Sequence, residues 1–526
     1  MLGRTKLGAL AAAACLWFTA APSGHAQPAP PPLPEAVRLA LDQATQAREA
    51  GDTQRERRVL EEAIEKEGAT SPSTWTLYQM LSSSHADYGN LAKAAELNEA
   101  QLATARLVGQ ELVTVVKGLA LHSHLNQKDK AQSYFDRLER MQARLRSAPA
   151  WARQGDNWQA GTAWGRAQFH SARGHPDQAD TAFRACVGAS EAQLRKTPDD
   201  AGALFYLVDC TTGLMSNLIV TGQLAAAGQL ADQQRSAVER VTQISRRPII
   251  ATRVAGALGR LAVEQGRPKE ASHIFQTALR AIEAVPGSDS SLRAANFRLQ
   301  LAQVDMLQGQ WKSALEWHRQ REQALKRAGD DRGNRGTQSL EYAYTLLRLG
   351  QAPEAVAMLR QILSIRERLY DENSLYLWEG RAFLGIALAG QGERDEALRL
   401  LRQAVPRVLD IVKGERSSSE AGVLRTARLN WLLDGYIHLL AQVAQAGDAA
   451  ASEEAFRMAD LARGSTVQRA LAAASSRANV TDPALADLAR QEQDLQREIS
   501  VLSEGIGNLL SRGRIAEQDQ IVTDMR

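Results

Sequence analysis

The residues that could do chemistry in this chain are few, and their spacing argues against it. His122-Ser123-His124 is the tightest pair of imidazoles. On a helix, residues two apart point to different faces, so one metal ion cannot readily take both, and no third ligand lies nearby in sequence. Beyond the N-terminal leader the other histidines are His85, His170, His175, His273, His318 and His438, and none stands in a His-x-x-x-His frame. Gly505-Ile506-Gly507-Asn508-Leu509 lacks the third glycine and the strand–helix setting of a dinucleotide loop. There is no Gly-Lys-Ser/Thr phosphate loop and no Gly-x-Ser-x-Gly elbow. Acidic pairs abound, as solvated helix faces always supply them. The expectation is a chain without catalytic residues, metal or cofactor, which works by binding.

Composition narrows what it binds. The formal charge is +3, and acidic and basic residues are interspersed, so no basic face for nucleic acid is expected. Hydrophobic residues make up 44% and aromatic ones 5%, with Ala and Leu prominent, as close-packed helices prefer. No alternating Val/Ile/Thr pattern suggests a sheet.

The N-terminus reads as a secretory signal peptide over residues 1–26. Arg4 and Lys6 precede an apolar run from Leu7 to Ala21, and Gly24 and Ala26 supply small residues before a cut after Ala26. The run is too short for a comfortable membrane span, and no transmembrane segment is expected after cleavage. The expected location is therefore periplasmic or secreted. A lipoprotein acylated at Cys15 fits less well, because Ala12-Ala13-Ala14 lacks the usual upstream Leu. Cys186 and Cys210 could pair in an oxidising compartment. Their expected role is nonetheless that of small apolar residues in helix packing.

The elements that would position any binding residue are helical hairpins. Residues 27–34 form a Pro-rich spacer of polyproline type. From Tyr342 to Ala404 one pattern occurs twice: Gly350, Ala355, Leu359 and Ile362 fall on Gly392, Ala397, Leu401 and Ala404, an offset of 42 residues. Each copy is a helix, a tight turn at Gly and a second helix. Earlier units centre on Ala314, Ala271, Ala227 and Ala179, and fainter ones lie around Ala131, Ala94 and Gly51. Pro176, Pro268 and Pro353 sit where second helices begin, a position that tolerates a missing N–H. Small residues at 259, 302, 343 and 385, and at 271, 314, 355 and 397, let helices cross closely. A hairpin period of this size marks a helical solenoid.

This pattern resembles the tetratricopeptide repeat family from about Leu41 to Ala404, most closely from Gly259 on, in its longer, kinesin-light-chain-like variety. The resemblance implies an all-α, right-handed superhelical array over residues 35–412 whose first helices line a concave, ligand-binding face. Arg253, Arg260, Asn296, Gln303, Tyr344 and Arg348 are then the candidate peptide-binding residues, being polar or aromatic positions on first helices beside the small crossing residues. Trp311, Trp317, Trp378 and Trp431 are further possible anchors, although packing between repeats is the commoner use of such residues.

After the array, a polar loop is expected at 413–424, a terminal helical hairpin or linker at 425–478, and a coiled-coil-like helix and tail at 479–526. Asp482-Pro483 is a good helix start, and Leu485, Leu488, Leu495, Ile499, Leu502, Ile506 and Leu509 follow heptad steps. That run, 485–509, is a candidate for self-association. Two stretches, Glu454-Ala-Phe-Arg-Met-Ala-Asp-Leu-Ala-Arg463 and Arg490-Gln-Glu-Gln-Asp494-Leu-Gln-Arg-Glu498, carry a second resemblance. Over about Ser452 to Arg512 the chain is similar to the linker that precedes the caspase-like module of secreted bacterial CHAT-domain proteins. The resemblance implies a regulatory array attached to a Cys/His peptidase module, and no residue present here matches that catalytic pair. Three functions thus stand open: a non-catalytic interaction scaffold in the cell envelope, the regulatory part of such a peptidase, or an oligomeric envelope assembly factor.

Overall fold

In a computed structural model, the structure describes residues 33–245, 248–285, 288–289, 291–327, 339–369, 374–415 and 422–463. The expected signal peptide, most of the spacer, half of the 413–424 loop and the whole coiled-coil-like run lie outside these residues. So does the CHAT-like linker beyond Arg463.

One local event builds every hairpin. At Gly51, Gly89, Asn126, Gly174, Gly222, Gly266, Gly309, Gly350, Gly392 and Gly447 the chain leaves a helix through a positive φ, from 55° at Asn126 to 109° at Gly447. The amide of the next residue then reaches back to a carbonyl five residues earlier: Asn90 to His85 at 2.9 Å, Gln223 to Leu218 at 2.8 Å, Arg267 to Ala262 at 2.8 Å and Glu393 to Leu388 at 2.9 Å. This is the Schellman bond, which satisfies a carbonyl the helix end would otherwise strand. The carbonyl of that same residue accepts the amide of Ala94, Ala131, Ala179, Ala227, Ala271, Ala314, Ala355 or Ala397, starting the second helix. All eight alanines are buried.

The chain forms two compact units, divided between Thr345 and Leu346, within the helix Leu340–Arg348. In the first, α1 (Glu35–Glu49) pairs with α2 (Thr53–Glu67), α3 (Trp75–Asp87) with α4 (Leu91–Thr104), and α5 (Val108–His124) with α6 (Lys128–Arg140). After the short α7 (Gln142–Arg146), α8 (Trp151–Ala172) pairs with α9 (Pro176–Lys196), α10 (Ala201–Val220) with α11 (Leu224–Ser245), α12 (Pro248–Glu264) with α13 (Pro268–Glu283), and α14 (Leu292–Leu307) with α15 (Trp311–Arg327). The boundary helix is α16. The second unit continues with α17 (Ala352–Leu369), α18 (Leu375–Gln391), α19 (Arg394–Glu415), α20 (Val423–Gln445) and α21 (Ala449–Arg463). The fold is an all-α, tetratricopeptide-like solenoid of helical hairpins. The expected loop at 413–424 is shorter than the sequence suggested, because α19 runs on to Glu415 and α20 begins at Val423.

Packing between helices follows side-chain size. A Cβ on Gly259 would overlap the Phe275 ring, one on Gly213 the Phe183 ring, and one on Gly385 would press on Leu401. Large side chains on second helices thus fill hollows left by glycine on first helices. In the first unit neighbouring first helices touch, α5 with α8, α8 with α10 and α10 with α12, while no pair of second helices makes comparable contact among the described residues. First helices therefore take the inside of that unit's curve.

Cys186 and Cys210 form a disulfide, which corrects the expectation of unpaired packing residues. Cys186 lies on α9 and Cys210 on α10, the facing helices of successive hairpins, with Cα atoms 6.1 Å apart, a separation that suits the bond. Both side chains are fully buried. The polar start of α10 is equally well tied. Asp200 caps the amides of Gly202 and Ala203, each at 3.0 Å, and accepts from Asn157 of α8 at 3.0 Å and Gln193 of α9 at 2.9 Å. By length and composition α10 alone among the described residues is apolar enough to cross a membrane, yet half of it is buried in this array.

Adding one methyl group to α12 has opposite effects at two glycines. Gly259→Ala lowers stability by about 1–3 kcal/mol through overpacking. Gly256→Ala, with open space around it, raises stability by about 0.5–1 kcal/mol through helix propensity; urea unfolding of the two variants checks the opposite signs. Reducing the disulfide, or replacing both cysteines by Ser, costs about 3 kcal/mol for a closed loop of this length. Thiol titration of the unfolded chain, with the leader removed, gives no free thiol before reduction and two after.

Candidate functional site

The inner face of the first unit is built by helical register. Twelve residues before the buried alanine of each second helix stands the crossing residue of the first helix, such as Ser82, Ala167, Gly259 or Ala302, each buried. The residue one step further along the helix is turned off the crossing. In five hairpins that position holds Ser83, Gln168, Ser216, Arg260 and Gln303, all at least partly accessible, while in the third it holds the buried Ala120. These side chains form a polar stripe across the hairpins.

Hydrogen bonds run along the stripe from repeat to repeat. Arg260 donates to Ser216 Oγ at 3.0 Å and to the carbonyl of Gly256 at 3.3 Å. Lys117 donates to Ser83 Oγ at 2.9 Å and to the carbonyl of Gln79 at 3.4 Å. Arg260 meets solvent, yet protein crowds it on its other sides, and that desolvation lowers its guanidinium pKa below the ordinary value against the opposing pull of Glu264. A guanidinium placed this way can still turn its outer face to a carboxylate ligand and make a charge-assisted hydrogen bond with it.

The structure sorts the six candidates. Arg260 and Gln303 fall on one stripe, and Asn296 is exposed on the same face by register, seven residues before Gln303. Arg253 holds the matching place on α12, but its side chain is outside the described residues. Tyr344 is only 5% exposed, its ring edge-on to Trp311 with centroids 5.7 Å apart, so it packs between hairpins and is not presented to a ligand. Arg348 is exposed and belongs to the second unit. Sequence reasoning missed Lys117 and Ser216. Ser216 comes onto the stripe only by the register counted from the buried Ala227, whereas Lys117 lies off that register and reaches the stripe through its bond to Ser83.

Two cavities lie elsewhere in the first unit. One of about 260 Å³ is lined by His122, Asn126, Gln127, Lys128, Arg173 and His175. Of its two histidines His122 is tied: its Nδ1 lies 2.6 Å from Gln127 Oε1 and its Nε2 3.4 Å from Glu99. His124 turns away, with Nδ1 2.7 Å from the Ala120 carbonyl oxygen. The second cavity, about 760 Å³, lies between α11, α12 and α13, with an aliphatic floor that includes Val238, Val254, Leu258 and Ile274. Perturbed histidines would flag catalysis, but the two most perturbed, His85 and His318, are core residues outside both cavities. Neither has a hydrogen bond to its ring nitrogens, burial holds each pKa down at about 4, and His318 stacks on Tyr342 at 4.9 Å.

With this geometry in place, residues 337–409 match the tetratricopeptide repeat family. That stretch carries tetratricopeptide repeats, in the region where the hairpin pattern is most regular. No curated protein matches the chain. Similar solved structures include BtubC (BKLC) from P. vanneervenii, 20% identical over 45% of this chain and 92% of its own, with a TM-score of 0.36. A Rap protein complexed with competence and sporulation factor is 12% identical over 74% of this chain and 99% of its own, with a TM-score of 0.45. Yeast Tom70 is 11% identical over 89% and 96%, with a TM-score of 0.31. Helical repeats of this type suggest a protein–protein interaction scaffold.

Burial of neutral imidazole makes the fold acid-sensitive. The folded pKa of about 4 for His318 lies below the unfolded value of 6.5, so the unfolded chain binds the extra proton. The stability this group contributes is complete above pH 6.5 and is lost as the pH falls to about 4. The loss is on the order of 3 kcal/mol for His318, and less for His85, whose side chain lies nearer to water. Urea midpoints at pH 7 and pH 4.5 should therefore differ less in His318→Phe than in the wild type.

Proposed function

We propose that this chain is a non-catalytic, exported scaffold that holds an extended peptide or protein segment against the first-helix face of its first unit. The observation that carries the reading is Arg260: solvent-accessible, crowded by protein and bonded to the matching position of the preceding repeat. A groove that offers an accessible, oriented guanidinium among Ser216, Gln303 and Asn296 suits a segment with a carboxylate at its anchor and hydrogen-bonding groups on either side. Export is supported by two independent features, the leader pattern of residues 1–26 and the buried Cys186–Cys210 bond, which needs an oxidising compartment to form and persist.

Binding is tested by panning random twelve-residue peptides against the chain and measuring the selected peptides by fluorescence anisotropy. The selected set is enriched in Asp and Glu, and Arg260→Glu weakens them by about tenfold or more. Peptides without acidic enrichment, or affinities untouched by Arg260→Glu, overturn the groove assignment. Export is checked separately by N-terminal sequencing of the chain recovered from outside the cytoplasm, which starts at Gln27.

A further inference from the structure

A contact spanning 206 residues in sequence shapes the first unit. Arg293 Nε donates to the carbonyl of Asp87 at 2.8 Å, and Leu292 N–H donates to the carbonyl of Tyr88 at 3.2 Å. Asp87, Tyr88 and Gly89 form the turn of the second hairpin, while Leu292 opens the first helix of the seventh. In an array of antiparallel hairpins, turns between paired helices lie on one edge and the loops between hairpins on the other. These two groups therefore come from opposite edges, five hairpins apart. Opposite edges meet only where the array has completed a turn and risen by its own width.

The contact is built on both sides. Tyr88 is partly buried against the main apolar cluster of the unit, and the Arg57 guanidinium lies over its ring at 5.7 Å. Arg57 is itself held by Ser84, through Oγ and the carbonyl, each at 3.2 Å. Gly89 is the distinguishing residue. Its φ of +85° is ordinary for a turn glycine here, but a Cβ on it would overlap Leu292. Gly174, Gly266, Gly309, Gly350, Gly392 and Gly447 hold the same turn position with nothing within 4 Å of where a Cβ would go. One turn glycine thus serves a close approach as well as a reversal.

We propose that the Asp87–Gly89 turn and Leu292–Arg293 form a latch that closes the first-helix face of the first unit into a complete turn. With the latch shut, the groove is reached from its ends. With it open, the groove is reached along its length. The latch rests on the contact alone and stands whether or not Arg260 anchors a peptide.

Leu292 provides a direct readout. As the first residue of its helix it has no intrahelical acceptor for its amide, so any protection from hydrogen exchange comes from the Tyr88 carbonyl. In the wild-type chain this amide exchanges at least tenfold more slowly than an unstructured amide. In Gly89→Ala the protection is lost and the radius of gyration by small-angle X-ray scattering rises, with helix content by circular dichroism unchanged. Gly309→Ala carries the same positive-φ penalty without the overlap, and it leaves both quantities at wild-type values. If Gly89→Ala fails to fold, Arg293→Ala keeps the test, since it removes one side of the latch without touching the turn; it too speeds Leu292 exchange. A Leu292 amide that exchanges in the wild type as fast as an unstructured one overturns the proposal. So does equal Leu292 protection in Gly89→Ala and Gly309→Ala.

Discussion

The rest of the structure depends on one hydrogen bond: the amide of the residue after each turn, donated to a carbonyl five residues back. It forces the chain to reverse within three residues and sets the second helix going four residues later on a small side chain. A positive φ is its geometric condition, so Gly fills nine of the ten described turns. Asn fills the tenth, at residue 126, because its short polar side chain tolerates the left-handed region better than other non-glycine residues. Once the reversal is fixed, the distance from turn to crossing is fixed too. The choice of Ala at positions such as 271, 314, 355 and 397 is then a matter of clearance.

The first hairpin shows what happens when that choice is broken. Counting from Gly51, the place of the buried alanine is held by Glu56, which is 1% exposed. A carboxylate there is tolerable only if fully partnered. Arg48, on the opposing helix, donates to it at 2.8 Å and spends a further N–H on the Met80 carbonyl at 3.2 Å. The pair takes up the space that a helix crossing would otherwise close and fastens the first hairpin to the second.

Backbone constraints are legible in the sequence and contacts between distant residues are not. Gly350 and Gly392, with Ala355 and Ala397, announce the hairpins because a turn and a crossing each admit few residue types. The turn at Asn126 is obscured by the same logic, since Asn signals many other turns. The disulfide escapes a sequence reading because a separation of 24 residues carries no information on whether two cysteines face each other across a seam. Tyr344 has the right position on a first helix, but Trp311 claims its ring. Of the candidate face, Arg260 and Gln303 are readable from register, whereas Ser216 needs the buried alanine of a less regular hairpin to be placed first and Lys117 joins only through the reach of its side chain to Ser83.

The disulfide, the Asp200 network and the latch all act on the first unit: the first two fasten the seam between the fourth and fifth hairpins, and the latch spans a different one. The Asp200 carboxylate joins three consecutive helices at one edge. The Cys186–Cys210 bond crosses the seam between the fourth and fifth hairpins, where a solenoid is held only by its nearest neighbours. The latch joins hairpins that are not neighbours at all. A quasi-one-dimensional array normally flexes, because each interface yields a little and the small rotations add. Bonding the second hairpin to the seventh converts that sum into a closed loop of constraints, in which no single interface can yield without straining the others. The stripe from Ser83 to Gln303 lies within that loop, so its spacing is held to one value, and a ligand meeting it finds the polar groups already in place.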